Sequence, residues 1–472
     1  MKIKQIYTGC LAQGAYYIES KGEVAIIDPL REVQPYIDKA NKNNAKIKYI
    51  FETHFHADFV SGHVTLAEKT GAPIIYGPTA ETKFKSHIAA DGDVFKLGEI
   101  TLTVLHTPGH TLESVCYLLK DKDGKDYALF SGDTLFLGDV GRPDLAQKFA
   151  NLNKEQLAGI LYDSLRTKIM NLADDVIVYP AHGAGSACGK NLSTETVGTI
   201  GEQKRVNYAL RADMTKEEFI QEVTDGLLPP PLYFPLNAQL NREGYENVED
   251  IIRDAIAYDV NTFEMVANKI DTVILDVRHQ DEYAKGHVPR SIFIGIDGDF
   301  APWVGALIPD IKQPILLITP LGREEESILR LARVGYDNTL GYLKGGFDTW
   351  KNEGLEYDTV NSVSAVMLEE IVEEAKEENE KVIIFDVRKD YEYEKEHIED
   401  VSSTPLDNIN DHLAEFPKEE EFYLHCAGGY RSMIAASILK ARGYHNLINV
   451  AGGYSAIKKT AIKTIYGIHH SL

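Results

Sequence analysis

Cysteine is scarce in this chain: four residues in 472, at positions 10, 116, 188 and 426, with no C-x-x-C pair among them. Such spacing gives no disulfide framework, and in a reducing compartment the four read as free thiols. Basic residues are in deficit. Forty-nine Lys and Arg against 72 Asp and Glu leave a formal charge of −23, which argues against nucleic acid as a partner, because phosphate backbones require a basic footprint. Long apolar runs are missing too; none approaches the roughly 18 residues of a membrane span. The N-terminus opens on a strand-like Ile3–Thr8 rather than a signal-peptide core. The expectation is a cytosolic protein with neither membrane nor nucleic-acid partner. What remains is ordinary for a globular protein, 44% hydrophobic and 26% charged, in a chain long enough for about three domains.

The richest stretch in metal-binding side chains is Thr53-His54-Phe55-His56-Ala57-Asp58-Phe59, directly after the apolar run Ile47–Phe51. Imidazoles two residues apart share one side of an extended backbone, and imidazole beside carboxylate suits zinc or non-haem iron. Three later pieces have the same form: Thr107-Pro-Gly-His110, Ser131-Gly-Asp133 and Pro180-Ala-His182-Gly183, each following an apolar run. Loops at strand ends that meet along one edge are how α/β scaffolds build metal sites.

In this order and spacing the four pieces resemble the metallo-β-lactamase superfamily, and within it the glyoxalase II and persulfide dioxygenase branch. The resemblance covers residues 1–245 and implies an α/β/β/α sandwich with a metal at the edge where two sheets meet. The negative charge weighs against the nuclease members. Binuclear members carry H-x-H-x-D-H, whose last His holds a second metal; Phe59 stands there and offers no lone pair. A second ion would be left with Asp58, His182 and a shared Asp133, so a single ion is expected. The persulfide dioxygenases imply one Fe(II) per chain (zinc being able to replace it in a purified sample) on His56, His110 and Asp133. His54, Asp58 and His182 would then orient ligands or water, and spacing alone leaves His54 open as a ligand. The same resemblance places a G-R-x-D loop, here Arg142 and Asp144, beside the substrate. Cys188, in a glycine-rich stretch after His182, is expected at the mouth of the site, and Cys10 and Cys116, in strand-like runs, in the core. The prolines of Leu228–Pro235 allow neither helix nor central strand and close this first region.

The rest of the chain repeats itself. Val273-Ile-Leu-Asp276-Val-Arg278 matches Ile383-Ile-Phe-Asp386-Val-Arg388, and Glu282-Tyr-Ala-Lys-Gly-His287 matches Glu392-Tyr-Glu-Lys-Glu-His397 at the same offset. Gly345-Gly346 and Gly452-Gly453 follow late in each copy. So long a period indicates two duplicated domains, residues 246–360 and 361–472. D-V-R, then E-x-x-x-x-H, then G-G resembles the rhodanese (sulfurtransferase) domain, which implies a parallel sheet flanked by helices.

In the second copy Cys426-Ala-Gly428-Gly429-Tyr430-Arg431 fits the C-x-x-G-x-R active loop. Its glycines let several backbone N–H groups face one sulfur at a helix N-terminus, an arrangement that stabilises a thiolate, a persulfide or an anion. Arg431 adds a fork of donors, and Gly428, Gly429 and Tyr430 would meet the substrate. In the first copy Gly322 aligns with Gly429, so Thr319 stands in the place of Cys426, with Glu324, Glu325 and Glu326 close behind. A hydroxyl cannot carry sulfane sulfur, and this copy is expected to be inert in sulfur transfer.

Both resemblances together imply a fold class of metallo-β-lactamase sandwich followed by two rhodanese-like α/β domains. The implied activity is persulfide dioxygenase with sulfurtransferase. The expected partners are a low-molecular-weight thiol persulfide, O2 and sulfite, and the superfamily branch implies a homo-oligomer. Two other readings compete: a glyoxalase II-like thioesterase on two zinc ions, and a sulfur carrier whose metal domain is structural. No residue pattern selects among glutathione, coenzyme A, bacillithiol and cysteine as the thiol.

Overall fold

The computed structural model describes residues 1–190, 192–269 and 271–466, the side chains of 148 and 149 excepted. The chain divides into two compact units. The first comprises Met1–Asp250 with Pro309–Ile311 and Leu329–Asp337; the second comprises Ile251–Ile308, Lys312–Ile328 and Asn338–Leu472.

The first unit holds two six-stranded sheets. Strands β1 (Lys2–Thr8), β2 (Gln13–Ser20), β3 (Glu23–Ile27), β4 (Lys46–Phe51), β5 (Ile74–Tyr76) and β6 (His87–Ile88) lie side by side in chain order. Strands β7 (Val94–Leu97), β8 (Ile100–His106), β9 (Val115–Lys120), β10 (Asp126–Gly132), β11 (Ile177–Pro180) and β12 (Gly198–Thr199) do the same in the other sheet. Alternation along β2 explains the layering. Tyr16 and Ile18 pack with Leu102, Val104, Tyr117 and Phe130 of the second sheet. Ala15 and Tyr17, on the opposite face, pack with Tyr36, Ala40 and Leu66 of the helices Gln34–Lys42 and His63–Thr70. Beyond the second sheet, Leu118 and Leu129 meet Leu161 and Phe219 of the helices Lys154–Ser164 and Lys216–Thr224. The order is therefore helix, sheet, sheet, helix.

Thr215 and Glu218 form the reciprocal cap that opens the latter helix. The proline-rich stretch departs from expectation at its end, because Phe234 and Pro235 begin a helix, Phe234–Glu243. Proline is tolerated in a first turn, where its missing N–H has no intrahelical partner. Cys10 lies in the short 3-10 turn Gly9–Leu11 rather than a strand, whereas Cys116 is buried in β9.

The second unit contains the two copies, each built on a five-stranded sheet. The first has β13 (Ile256–Tyr258), β14 (Val273–Asp276), β15 (Ile292–Phe293), β16 (Ile315–Ile318) and β17 (Thr339–Leu343), in the order β13-β17-β16-β14-β15. The second has β18 (Asn361–Ser364), β19 (Ile383–Asp386), β20 (His397–Ile398), β21 (Ser402–Ser403), β22 (Phe422–His425), β23 (Leu447–Ala451) and β24 (Thr464–Ile465). Five of these form a sheet in the order β18-β23-β22-β19-β21, and β20 pairs with β24. Both five-stranded sheets are wholly parallel, as apolar strands alternating with helices require.

Candidate metal centre and sulfur-transfer loop

The side chains of the four expected pieces converge in the first unit. His54 leaves the loop after β4, His110 the loop after β8, Asp133 the end of β10 and His182 the loop after β11. All are essentially buried. His54, His110 and Asp133 bring one ligand atom each within 4.8 Å of one another. His110 Nε2 lies 3.4 Å and His54 Nε2 3.8 Å from Asp133 Oδ2. The set expected from the sequence had His56 where the structure has His54. Their rings are 4.2 Å apart, but His56 Nε2 turns to Asp28 Oδ1 at 3.2 Å and Glu52 Oε2 at 3.6 Å.

A second group, His56, Asp58 and His182, also gathers within 4.8 Å. His182 Nε2 sits 3.4 Å from Asp58 Oδ2 and 3.5 Å from Asp133 Oδ1. This differs from the Asp58, His182 and Asp133 set expected for a second ion, because His56 supplies a third donor. Phe59 is fully buried, its ring 4.4 Å from that of His56.

The outer nitrogens of three imidazoles are held by neighbours, which fixes which nitrogen faces inward. His54 Nδ1 is 3.0 Å from Thr53 Oγ1, His110 Nδ1 2.9 Å from the Arg142 carbonyl and His182 Nδ1 3.3 Å from the Ala12 carbonyl. Burial, reinforced by His56, His110 and His182, holds His54 well below the usual histidine range, in the neutral form that ligates metals. Burial disfavours charge on His56 also, yet Asp28 and Glu52 outweigh it and lift that ring to about 9. Both oxygens of Asp133, Asp58 Oδ1 and His182 Nε2 are buried without hydrogen-bond partners in the chain. Orphaned buried polar atoms of this kind are costly unless a cation or water satisfies them, so the residue set fits a metal.

Arg142 is committed to structure. Its fork grips Asp144 at 2.7 and 2.8 Å, and it donates further to the carbonyls of Ala187 and Leu228. Those bonds anchor the loop whose Arg142 carbonyl meets His110 Nδ1. Cys188 is buried with its sulfur grouped with Asp133 and His182, and burial followed by the charges of Asp58 and Asp133 pushes its thiol well up. One contributor escaped sequence reasoning. Asn241, fully buried on the helix Phe234–Glu243, accepts from Ser61 N–H and donates to the carbonyls of His56 and Phe59. It clamps the histidine loop from 180 residues away, and no local pattern announces it.

In the second unit Cys426 follows β22, with the Gly429 N–H donating to its sulfur at 3.1 Å and the helix Tyr430–Ala441 starting immediately after. Gly429 takes φ +104°, open to glycine at low cost. Nothing lies within 4 Å of where a Gly428 Cβ would be, leaving that side of the loop open. Arg431 forks onto Glu392 at 2.5 and 2.9 Å. The Gly452-Gly453 pair, read from sequence as a mere repeat marker, supports this loop. Tyr454 N–H donates to the Cys426 carbonyl, and a Cβ on Gly453 would stand 2.3 Å from that oxygen. Tyr430, expected to meet substrate, instead donates its hydroxyl to the Gly295 carbonyl of the first copy at 2.8 Å.

Residues 8–182 match the metallo-β-lactamase superfamily, and residues 262–353 and 368–460 each match the rhodanese-like domain. The chain is 31% identical over 185 residues to a cytoplasmic hydroxyacylglutathione hydrolase of Arabidopsis thaliana, a match spanning 38% of this chain and 67% of that protein. A hydroxyacylglutathione hydrolase of Francisella philomiragia is 33% identical over 184 residues, 39% of this chain and 68% of that one. Among solved structures, a metallo-β-lactamase from Staphylococcus aureus superposes with a TM-score of 0.65 at 32% identity, covering 73% of this chain and 99% of that chain.

Proposed function

The chain belongs to the metallo-β-lactamase superfamily and carries two rhodanese-like domains behind that fold, and from this premise we propose that it is a persulfide dioxygenase joined to a sulfurtransferase. The observation that carries the reading is the two-histidine, one-carboxylate group His54, His110 and Asp133, with a nonligating Phe59 packed on the neighbouring His56, in one chain with a cysteine-bearing rhodanese-like loop. His54, His110 and Asp133 would hold the ion. When bound there, iron(II) supplies the redox chemistry that lets O2 react with sulfur. The net reaction takes a thiol persulfide, O2 and water to the free thiol, sulfite and two protons.

The protein's own part is to present neutral imidazoles, fix them through Thr53 and the Arg142 carbonyl, and bury the reacting sulfur beside Cys188. At the second site the Cys426 thiolate attacks the outer sulfur of another persulfide, taking that sulfur and releasing the thiol. Sulfite then attacks the outer sulfur on Cys426, which yields thiosulfate and restores the cysteine. The Gly429 N–H and the helix start stabilise sulfur anions at each stage. Tethering both sites in one chain raises the local sulfite concentration.

A second reading has its own support. His56, Asp58 and His182 could surround another ion, and hydroxyacylglutathione hydrolases are among the similar proteins; a binuclear thioester hydrolase would use both groups. Metal analysis of protein purified without added zinc, with oxygen uptake on a panel of thiol persulfides, separates the two. One iron per chain with uptake supports the dioxygenase, and His54→Ala should lose both by more than about tenfold. Two zinc ions with thioester cleavage and no uptake would replace this proposal with the hydrolase.

A further inference from the structure

The first rhodanese-like copy has no sulfur-carrying residue, yet its structure reaches the active loop of the second. After β15 the chain turns at residues 295–298. Tyr430, the first residue of the active helix, fills the space over this turn. A Cβ on Gly298 would lie 2.3 Å from Tyr430 Cζ, and one on Gly295 would lie 3.2 Å from the same ring. The ring meets Phe293 edge-on at 5.8 Å, and its hydroxyl donates to the Gly295 carbonyl. Beside it, the Phe293 N–H at the sheet edge is capped at 2.9 Å by Ser437 Oγ of the active helix.

The turn is also held by the first copy's own loop. Arg323 Nη1 grips both oxygens of Asp297, at 2.8 and 2.9 Å, while its remaining donors hold Glu326. With Gly322 aligned on Gly429, Arg323 occupies the position of Tyr430. Equivalent residues of the two loops thus converge on one four-residue turn. The glycine at 298 is required by the ring, not by its own backbone angle, since it is absent from the positive-φ positions.

We propose that the turn 295–298 is a latch through which the inert copy positions the Cys426 loop, with Tyr430 as the positioning residue and Arg323–Asp297 as the brace. Held there, the first turn of the active helix keeps the Gly429 N–H on the cysteine sulfur. Cys426 as sulfur acceptor is taken from the function proposed above.

The test uses the full chain and reads the pH profile of Cys426 alkylation by iodoacetamide, peptide by peptide, beside kcat and KM for thiosulfate formation and the melting temperature. Gly298→Ala should shift the alkylation midpoint up by about one pH unit and cut kcat roughly tenfold at little change in KM. Metal content and oxygen uptake should stay as in the wild type. Tyr430→Ala should do the same, and adding Gly298→Ala to it should do nothing more, because the clash is gone. Arg323→Gln, at a half-buried arginine whose partner Asp297 is exposed, should give the same directions at about two- to threefold. An unshifted alkylation profile in Gly298→Ala and Arg323→Gln, whatever happens to melting, overturns the latch. Thiosulfate formation surviving in Cys426→Ser would refute the acceptor role instead, and the alkylation profile would still judge the latch.

Discussion

The two rhodanese-like copies share a frame and differ in one loop. In each, an arginine two residues past β14 or β19 forks back on its own aspartate. Arg278 Nη2 lies 2.6 Å from Asp276 and 2.8 Å from the Gly286 carbonyl, and Arg388 Nη2 lies 2.6 Å from Asp386 and 2.8 Å from the Glu396 carbonyl. The Tyr283–His287 rings stack at 3.9 Å and the Tyr393–His397 rings at 3.8 Å. The residues that made the repeat visible are therefore the ones that brace the fold. The loops diverge at the amide that faces the sulfur. Gly429 N–H donates to Cys426 Sγ, whereas the corresponding Gly322 N–H is taken at 3.1 Å by Glu324. Pro320, in the place of Ala427, has no N–H to give, and Glu324 reverses the charge of Arg431. The features proposed for sulfur transfer lie in the loop, and the frame survives without them.

Cys426→Ser is the severest test of that contrast. It should abolish thiosulfate formation while sulfite release continues, and loss of both products together would disprove the division between metal site and loop. Next come Asp276→Ala and Asp386→Ala. Each strands a buried guanidinium and should cost about 3–5 kcal/mol in denaturant unfolding; a near-neutral result in one copy would end the claim of a shared brace.

A smaller effect is acid sensitivity in the first copy's frame. Burial pushes His287 down to about 4, against an opposing bond to the Tyr283 carbonyl and the charge of Asp358. The unfolded chain takes up this proton near 6.5, so stability is complete above that pH and falls between about 6.5 and 4, by up to ~3 kcal/mol. Melting curves of His287→Gln should show a flatter dependence across that window, and an unchanged slope would remove His287 as the cause. Smallest of all is Thr319→Cys in the Cys426→Ser background. Mass spectrometry should find no persulfide on the introduced thiol after exposure to a thiol persulfide; a clean adduct there would show that the cysteine alone separates the copies.

Much of this was legible in residue order. Strand-end histidines and aspartates, the duplicated D-V-R and E-x-x-x-x-H, and the glycine-rich turn after β22 all report local chemistry, and the family resemblance they carry implied the layered fold. Three features were not. Which imidazole joins His110 and Asp133 depends on Asp28 and Glu52 drawing His56 Nε2 to themselves, a contact that the resemblance suggesting His56 does not carry. Asn241 acts on the histidine loop from a distant helix. Arg142, Asp144 and Tyr430 carry motif positions that suggested substrate, but Arg142 donates to the Asp144 carboxylate and the Leu228 carbonyl, and Tyr430 donates to the Gly295 carbonyl, contacts that exist only once Leu228 and Gly295 have been brought beside them.

Sequence by itself determined the fold class, the repeat and the contrast between a thiol at 426 and a hydroxyl at 319, because strand patterning, motif spacing and side-chain chemistry are written in neighbouring residues. Tertiary structure alone decided that His54 stands with His110 and Asp133, and that a turn of the first copy seats Tyr430. Direction and distance between segments far apart in the chain are set by packing, which no local pattern encodes.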